Sequence, residues 1–145
     1  MRHASYIASG ITVLGLLVGS RRLPAVEVAV VSAKSTVTAL SKSQVADIFL
    51  GKTTRFPDGS QAVPIDQSEG TLARDEFYTW IAGKSAAQMK AYWSRIIFTG
   101  RGQPPKAVAN SSEAKRLVVA NPDAIGYIDP KLVDDTVRVV IVTQR

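Results

Sequence analysis

The sequence predicts a small α/β domain built on a mixed sheet, and three observations carry that expectation. Runs rich in β-branched residues lie at both ends, VEVAVV at 26–31 and TVRVVIV at 136–142. Between them the apolar residues switch to helical spacing behind Ser, Thr and Asn caps. The 145 residues are 46% hydrophobic and 21% charged, enough apolar material for one core. Strands alternating with helices at this length give two or three layers around that core, and two complete ligand-binding lobes do not fit.

The elements follow in order. The mostly apolar VEVAVV reads as a buried strand. Ser41 and Gln44 have capping-box spacing and open a short helix with Val45, Ile48 and Phe49 on its apolar side, ended by Gly51. Pro57, Asp58 and Gly59 supply turn chemistry before a short strand at 62–65. Thr71 caps a helix carrying Leu72, Phe77 and Trp80, with Asp75 and Glu76 near its favourable end. Ser85 and Gln88 repeat the capping box ahead of a helix whose Met89, Tyr92, Trp93 and Ile96 should make the largest aromatic contribution to the core. Residues 99–107, rich in Gly and Pro, read as a loop. Asn110 and Glu113 start another helix that ends at Asn121 and Pro122, and two late strands, 124–128 and 136–142, flank the turn-rich DPKLVDD.

The N-terminus reads as an address. Arg2 and His3 precede an apolar stretch from Tyr6 to Val18, the length of a signal-peptide core and short of the roughly 20 residues that span a bilayer. Residues 1–25 are therefore expected to be a signal peptide, cleaved after Ser20 or Ala25, and residues 26–145 the exported domain. The formal charge of +6 includes Arg2, Arg21 and Arg22; without them 15 Lys and Arg face 12 Asp and Glu, or +3. No run of Lys and Arg marks a phosphate-tracking surface, so a nucleic-acid partner is not expected. Absence of cysteine excludes disulfides, thiolate catalysis and iron–sulfur ligation.

Chemistry is sparsely signalled. The sole histidine, His3, falls in the expected signal segment, which leaves neither a His-dependent triad nor a histidine-bearing metal site in the exported part. Asp134 and Asp135 adjoin in a turn and read as a solvated pair. No catalytic residue, metal or cofactor is expected. The informative stretch is DQSEGTLAR at 66–74, where a strand delivers a Gly-containing turn to a helix N-terminus whose free amides, with Ser68, Gly70, Thr71 and Arg74, suit a small anion. A second polar turn, Ser32 to Thr36, follows the first strand. Ligands of open α/β sheets bind beyond strand carboxyl ends, so Ser32, Ser35 and Thr36 are expected to share one cleft with the first turn. Lys34, Arg55, Arg74 and Arg101 are the candidate cationic partners. TGRGQPP has the look of a phosphate loop but lacks the Lys-Ser/Thr ending and a strand feeding it.

Several blocks together, LSKSQVADIFLGKTTRFPDGS (40–60), EGT (69–71), YWSRIIFTGRGQPPKAV (92–108) and AIGYI (124–128), resemble the phosphate-type substrate-binding proteins of ABC importers, especially short relatives of that family. The resemblance covers residues 26–142 and implies one lobe of the type II periplasmic-binding-protein-like fold, a mixed sheet flanked by helices. In the full-length family two such lobes close on the ligand. The family pattern sets an Arg four residues before a Ser-Gly-Thr turn; here Ile65 stands for the Arg and Glu69 for the Ser, while Gly70 and Thr71 remain, and Phe56 replaces a Trp. Losing a bidentate cation and gaining a carboxylate both oppose phosphate.

The resemblance thus implies a non-catalytic, periplasmic or secreted solute-binding lobe that holds phosphate or another small anion weakly for ABC-type import. An ABC permease or envelope protein, or a second copy in a homodimer, would be its partner. The alternative is an accessory module that keeps the scaffold without a small-molecule ligand.

Overall fold

A computed structural model describes residues 27–141. The expected signal peptide and residues 142–145 lie outside the described part. The elements run β1 (Val28–Ser32), α1 (Lys42–Phe49), β2 (Val63–Gln67), α2 (Leu72–Ala82), α3 (Ala86–Phe98), β3 (Lys106–Val108), α4 (Ser111–Ala120), β4 (Ala124–Ile128), a 3-10 turn (Pro130–Leu132) and β5 (Val137–Ile141). All four α-helices start where their caps predict. Ser41 and Ser85 accept from the amides of Gln44 and Gln88, whose side chains accept from the serine amides in return. Thr71 and Asn110 accept from the amides of Arg74 and Glu113. Each such cap stabilises its helix by about 1 kcal/mol.

The five strands form one sheet in the order β3-β2-β4-β1-β5. β2 is parallel to β3 and β4, whereas β1 is antiparallel to β4 and β5. β4 is central, and all five of its residues are buried. Alternation along the strands divides the core. Ala29, Val31, Ile125 and Tyr127 join α1, α2 and α3 on one face, and Val30, Ile65, Ala124 and Ile128 meet Ala114 and Val118 of α4 on the other. The result is a three-layer α/β/α domain.

Four expectations need correction. The loop expected over 99–107 gives up its last two residues to the sheet, where Lys106–Val108 forms the parallel edge strand β3. Its three residues carry no sequence signal, and only pairing with β2 makes them a strand. β2 itself reaches Gln67, past the expected end at 65, and accommodates Pro64 because β3 pairs only from Ile65 onward, leaving the Pro64 nitrogen without a partner strand to serve. The aromatic heart is not on α3, where Tyr92 and Ile96 are half-buried. It is Phe49, Phe77, Tyr78 and Tyr127, with Phe77 stacked on Tyr127 at 3.9 Å and 7°. Leu72, expected on the apolar side of α2, is 72% exposed.

Gly126 marks the closest approach of α4 to the sheet, since a Cβ there would lie 3.0 Å from Val118 Cγ2 and 3.7 Å from the Ile65 carbonyl oxygen. Gly126→Val is therefore expected to overpack this layer and cost about 1–3 kcal/mol in urea unfolding; unchanged stability would show that α4 does not press on β4 at this point.

Candidate functional site

The carboxyl ends of the three parallel strands lie side by side at one edge of the sheet, and the polar residues at the end of β2 bind that edge together. Asp66 is 3% exposed and faces the α2 side. Its carboxylate accepts from the Tyr78 hydroxyl at 2.6 Å, the Tyr127 hydroxyl at 2.5 Å and the Gln67 amide at 2.8 Å. The Arg74 Nε stands 3.6 Å away, and its guanidinium lies over the Tyr78 ring at 5.2 Å. Burial first, and then the Asp66 charge, push both phenols far above their ordinary range, so they act as fixed donors. A buried carboxylate is tolerated only with such a complement of donors and a countercharge.

Gln67, pointing to the other face, donates to the Tyr127 carbonyl at 2.9 Å and to Ser111 Oγ at 3.2 Å. Ser111, at the head of α4, also accepts from the Asp129 amide at 3.1 Å and donates to Glu27 at 3.3 Å. Glu27 is 7% exposed just ahead of β1. Burial, reinforced by Asp129 and Glu76 and only partly offset by the Ser111 hydroxyl, raises its pKa to about 7.

The turn between β2 and α2 sits above this layer. Ser68 donates through both its amide (2.9 Å) and its hydroxyl (3.1 Å) to the Val108 carbonyl, fixing the turn to β3. Gly70 takes φ +88°, the left-handed region open to glycine. Thr71 caps α2 and returns its hydroxyl to the Ser68 carbonyl at 2.8 Å. Among the described residues nothing accepts from the amides of Gly70, Leu72 and Ala73, the orphan donors of a helix start.

The expected site residues are thus only partly brought together. Ser68, Gly70, Thr71 and Arg74 share the carboxyl edge, but Arg74 is held by Asp66. Ser32, Ser35 and Thr36 are elsewhere, because β1 runs against β4. Ser32 lies level with the start of β2 and Val28 with its end, about four residues or roughly 13 Å apart along the sheet. The two turns stand at opposite ends of the sheet and do not share a cleft. The Ser32–Thr36 turn has a local structural explanation. Ser32 and Ser35 accept from the amides of Lys34 and Val37, Thr36 donates to Asp58 at 2.7 Å, and Arg138 donates to the carbonyls of Ala33, Ser35 and Val37. Of the other candidate cations, Arg55 donates to the Gly59 carbonyl and Arg101 lines a separate cavity beside α3.

Sequence reasoning missed Glu27, Asp66, Gln67 and Ser111 as one assembly. A signal existed: two tyrosines set in apolar elements must place their hydroxyls, and polar residues closing a buried strand must find partners.

Solved structures share this architecture. A candidate phosphate ABC transporter substrate-binding protein with bound phosphate from Clostridium perfringens superposes with a TM-score of 0.63 at 24% identity, over 79% of this chain and 43% of its own. An ABC-type phosphate transport receptor from Vibrio cholerae gives 0.61 at 20% identity, over 79% and 44%. PstS from Borrelia burgdorferi gives 0.57 at 12% identity, over 79% and 46%. The fold is one lobe of the type II periplasmic-binding-protein-like class. The lobe spans less than half the length of these proteins. No protein-family model and no curated protein matches the chain in sequence.

The state of Glu27 gives the lobe a pH signature. Its carboxyl binds a proton more tightly folded (about 7) than unfolded (4.5), so this contribution to stability is complete below pH 4.5 and is lost as pH rises through 7. After solvent screening the loss between pH 5 and 8 is expected to be on the order of 1–2 kcal/mol. Glu27→Gln should flatten it in chemical unfolding across that range; an equal slope in both proteins would show that Glu27 titrates normally.

Proposed function

We propose that this chain is a non-catalytic, extracytoplasmic solute-binding lobe of the kind that serves ABC-type import, and that it takes a small oxyanion such as phosphate weakly, at the turn from Ser68 to Thr71. The observation that carries this reading is the unpaired set of amides at Gly70, Leu72 and Ala73, held at the carboxyl edge of β2 by Ser68 and Thr71. Amides at a helix start attract anions through hydrogen bonding and the helix dipole together. The phosphate-import proteins that share the fold support the same assignment.

Weak binding follows from the charges around those amides. Ile65 and Glu69 replace an arginine and a serine of the phosphate-type pattern, Arg74 is neutralised by Asp66, and Glu27 and Asp129 line the same edge. A single lobe also leaves a bound ion half in water, where its hydrogen bonds gain little over those of the solvent. A second surface, from a permease, an envelope protein or another copy of the chain, would enclose it. Export through the apolar N-terminal segment belongs to the same proposal.

One observation favours a second reading, an accessory module that keeps the scaffold and binds protein. Leu72 stands 72% exposed directly beside the candidate turn, where an enclosed anion would gain nothing from an isobutyl group. Isothermal titration separates the two. The solute-binding reading expects phosphate to bind with Kd on the order of 1 mM, or about −4 kcal/mol, and Gly70→Val, which forces a β-branched residue to φ +88°, to abolish the heat. Absence of heat or thermal shift with millimolar phosphate, sulfate and small carboxylates would overturn it and leave the accessory module.

A further inference from the structure

The end of α3 opposite the candidate turn carries features that solute binding does not use. Residues 77–112 contain Lys84, Lys90, Arg95, Arg101 and Lys106 and no Asp or Glu. These cations stand five or six residues apart, so no basic run betrays them; the absence of acids does. At the tip of α3, Phe98 is 93% exposed and Ile97 55%, two of the few large apolar side chains exposed among the described residues. Next to them is a cavity of about 480 Å³ lined by Arg95, Thr99 and Arg101 at the rim and by Tyr92, Trp93 and Ile96 toward the core. Among the described residues, neither Arg95 nor Arg101 has a carboxylate partner.

Arg95 lies in the last turn of α3, where a cation compensates the helix dipole, and this accounts for one charge. Arg101 and Lys106, beyond the helix, are in excess of it. Dipole compensation also does not explain a fully exposed phenylalanine, which costs solubility unless something covers it.

We propose that the α3 tip is a membrane-docking surface for an anionic bilayer: Phe98 and Ile97 enter the interface, while Arg95 and Arg101 take a lipid phosphate at the mouth of the cavity. Charge complementarity selects this occupant. Cations flanking a protruding apolar tip, with no acid in residues 77–112 and Asp47 acting on the Tyr92 hydroxyl behind them, match the arrangement by which peripheral proteins combine apolar insertion with attraction to anionic headgroups. A nucleic-acid strand would call for a series of exposed aromatic faces, but Trp93 is buried and Tyr92 is fixed by donating to the Leu50 carbonyl at 2.6 Å. The surface lies at the amino end of β3, away from the turn at Gly70, so docking would leave that turn facing outward.

Cosedimentation of the full chain with vesicles tests the proposal. Phosphatidylcholine vesicles containing roughly 30% phosphatidylglycerol should bind the protein, pure phosphatidylcholine much less, and added salt should weaken binding. Phe98→Ser and the pair Arg95→Gln with Arg101→Gln should each reduce bound protein by about five-fold or more. All of these side chains but one lie on exposed positions of α3, Arg101 in the exposed loop after it, so circular dichroism should stay unchanged. Residues 1–26 are common to every variant, and the pure phosphatidylcholine vesicles read whatever binding the apolar stretch from Tyr6 to Val18 adds by itself. Equal binding of all three proteins, no binding by any, or retention by immobilised acidic peptide with none on vesicles would overturn the proposal.

Discussion

The lobe depends on one buried carboxylate. Asp66 holds a hydroxyl from α2, a hydroxyl from β4, the backbone of β2 and the guanidinium of Arg74, so it joins the strand that presents the candidate turn to the helix that follows it and to the centre of the sheet. Each hydrogen bond to a charged acceptor contributes about 1.5–3 kcal/mol, against a desolvation penalty of several kcal/mol for the ion. The net gain in stability is small. What the arrangement secures is position: α2 cannot rotate about its axis without breaking the Tyr78 contact, and its first turn keeps its amides at the sheet edge.

The same constraint shapes function. A guanidinium beside a helix start would ordinarily strengthen an anion site, yet here its charge is answered inside the core. The edge that remains is mixed, with amides from the head of α2 on one side and Glu27 and Asp129 around Ser111 on the other. On the proposed solute-binding reading, such a surface would favour a ligand that both accepts and donates hydrogen bonds over a fully ionised one. The proximity of Glu27 to neutrality near pH 7 means that the charge of this edge is itself adjustable.

Much of the fold was legible in the sequence because helix starts are written in local chemistry. Ser41, Thr71, Ser85 and Asn110 each announced a helix, and β4 was readable from an unbroken apolar run. What escaped depends on long-range pairing. β3 is a strand only because β2 lies beside it, and the polar Asp66 and Gln67, which read as the start of the turn, hid the end of β2. The direction of β1 decided the larger error. A strand's hydrophobic pattern says that it is buried but not which way it runs, and the antiparallel placement of β1 put Ser32, Ser35 and Thr36 at the far end of the sheet. The turn at Gly70 was recognisable from its residues, whereas the Asp66 assembly was not, since residues 66, 74, 78 and 127 meet only through the packing of α2 on β2 and β4. Membership of the type II lobe fold, expected from the resemblance, agrees with the solved structures of phosphate-import proteins.

The most direct measurement is a double-mutant cycle on Asp66→Asn and Arg74→Met by urea unfolding. If the two side chains neutralise each other in the core, each single change strands a buried charge or leaves donors unmatched, and the double variant should be more stable than additivity predicts by about 1 kcal/mol or more. Additive losses would mean that Arg74 is not engaged by Asp66. The guanidinium would then be free at the head of α2, and the description of the candidate site as one stripped of its cation would be wrong.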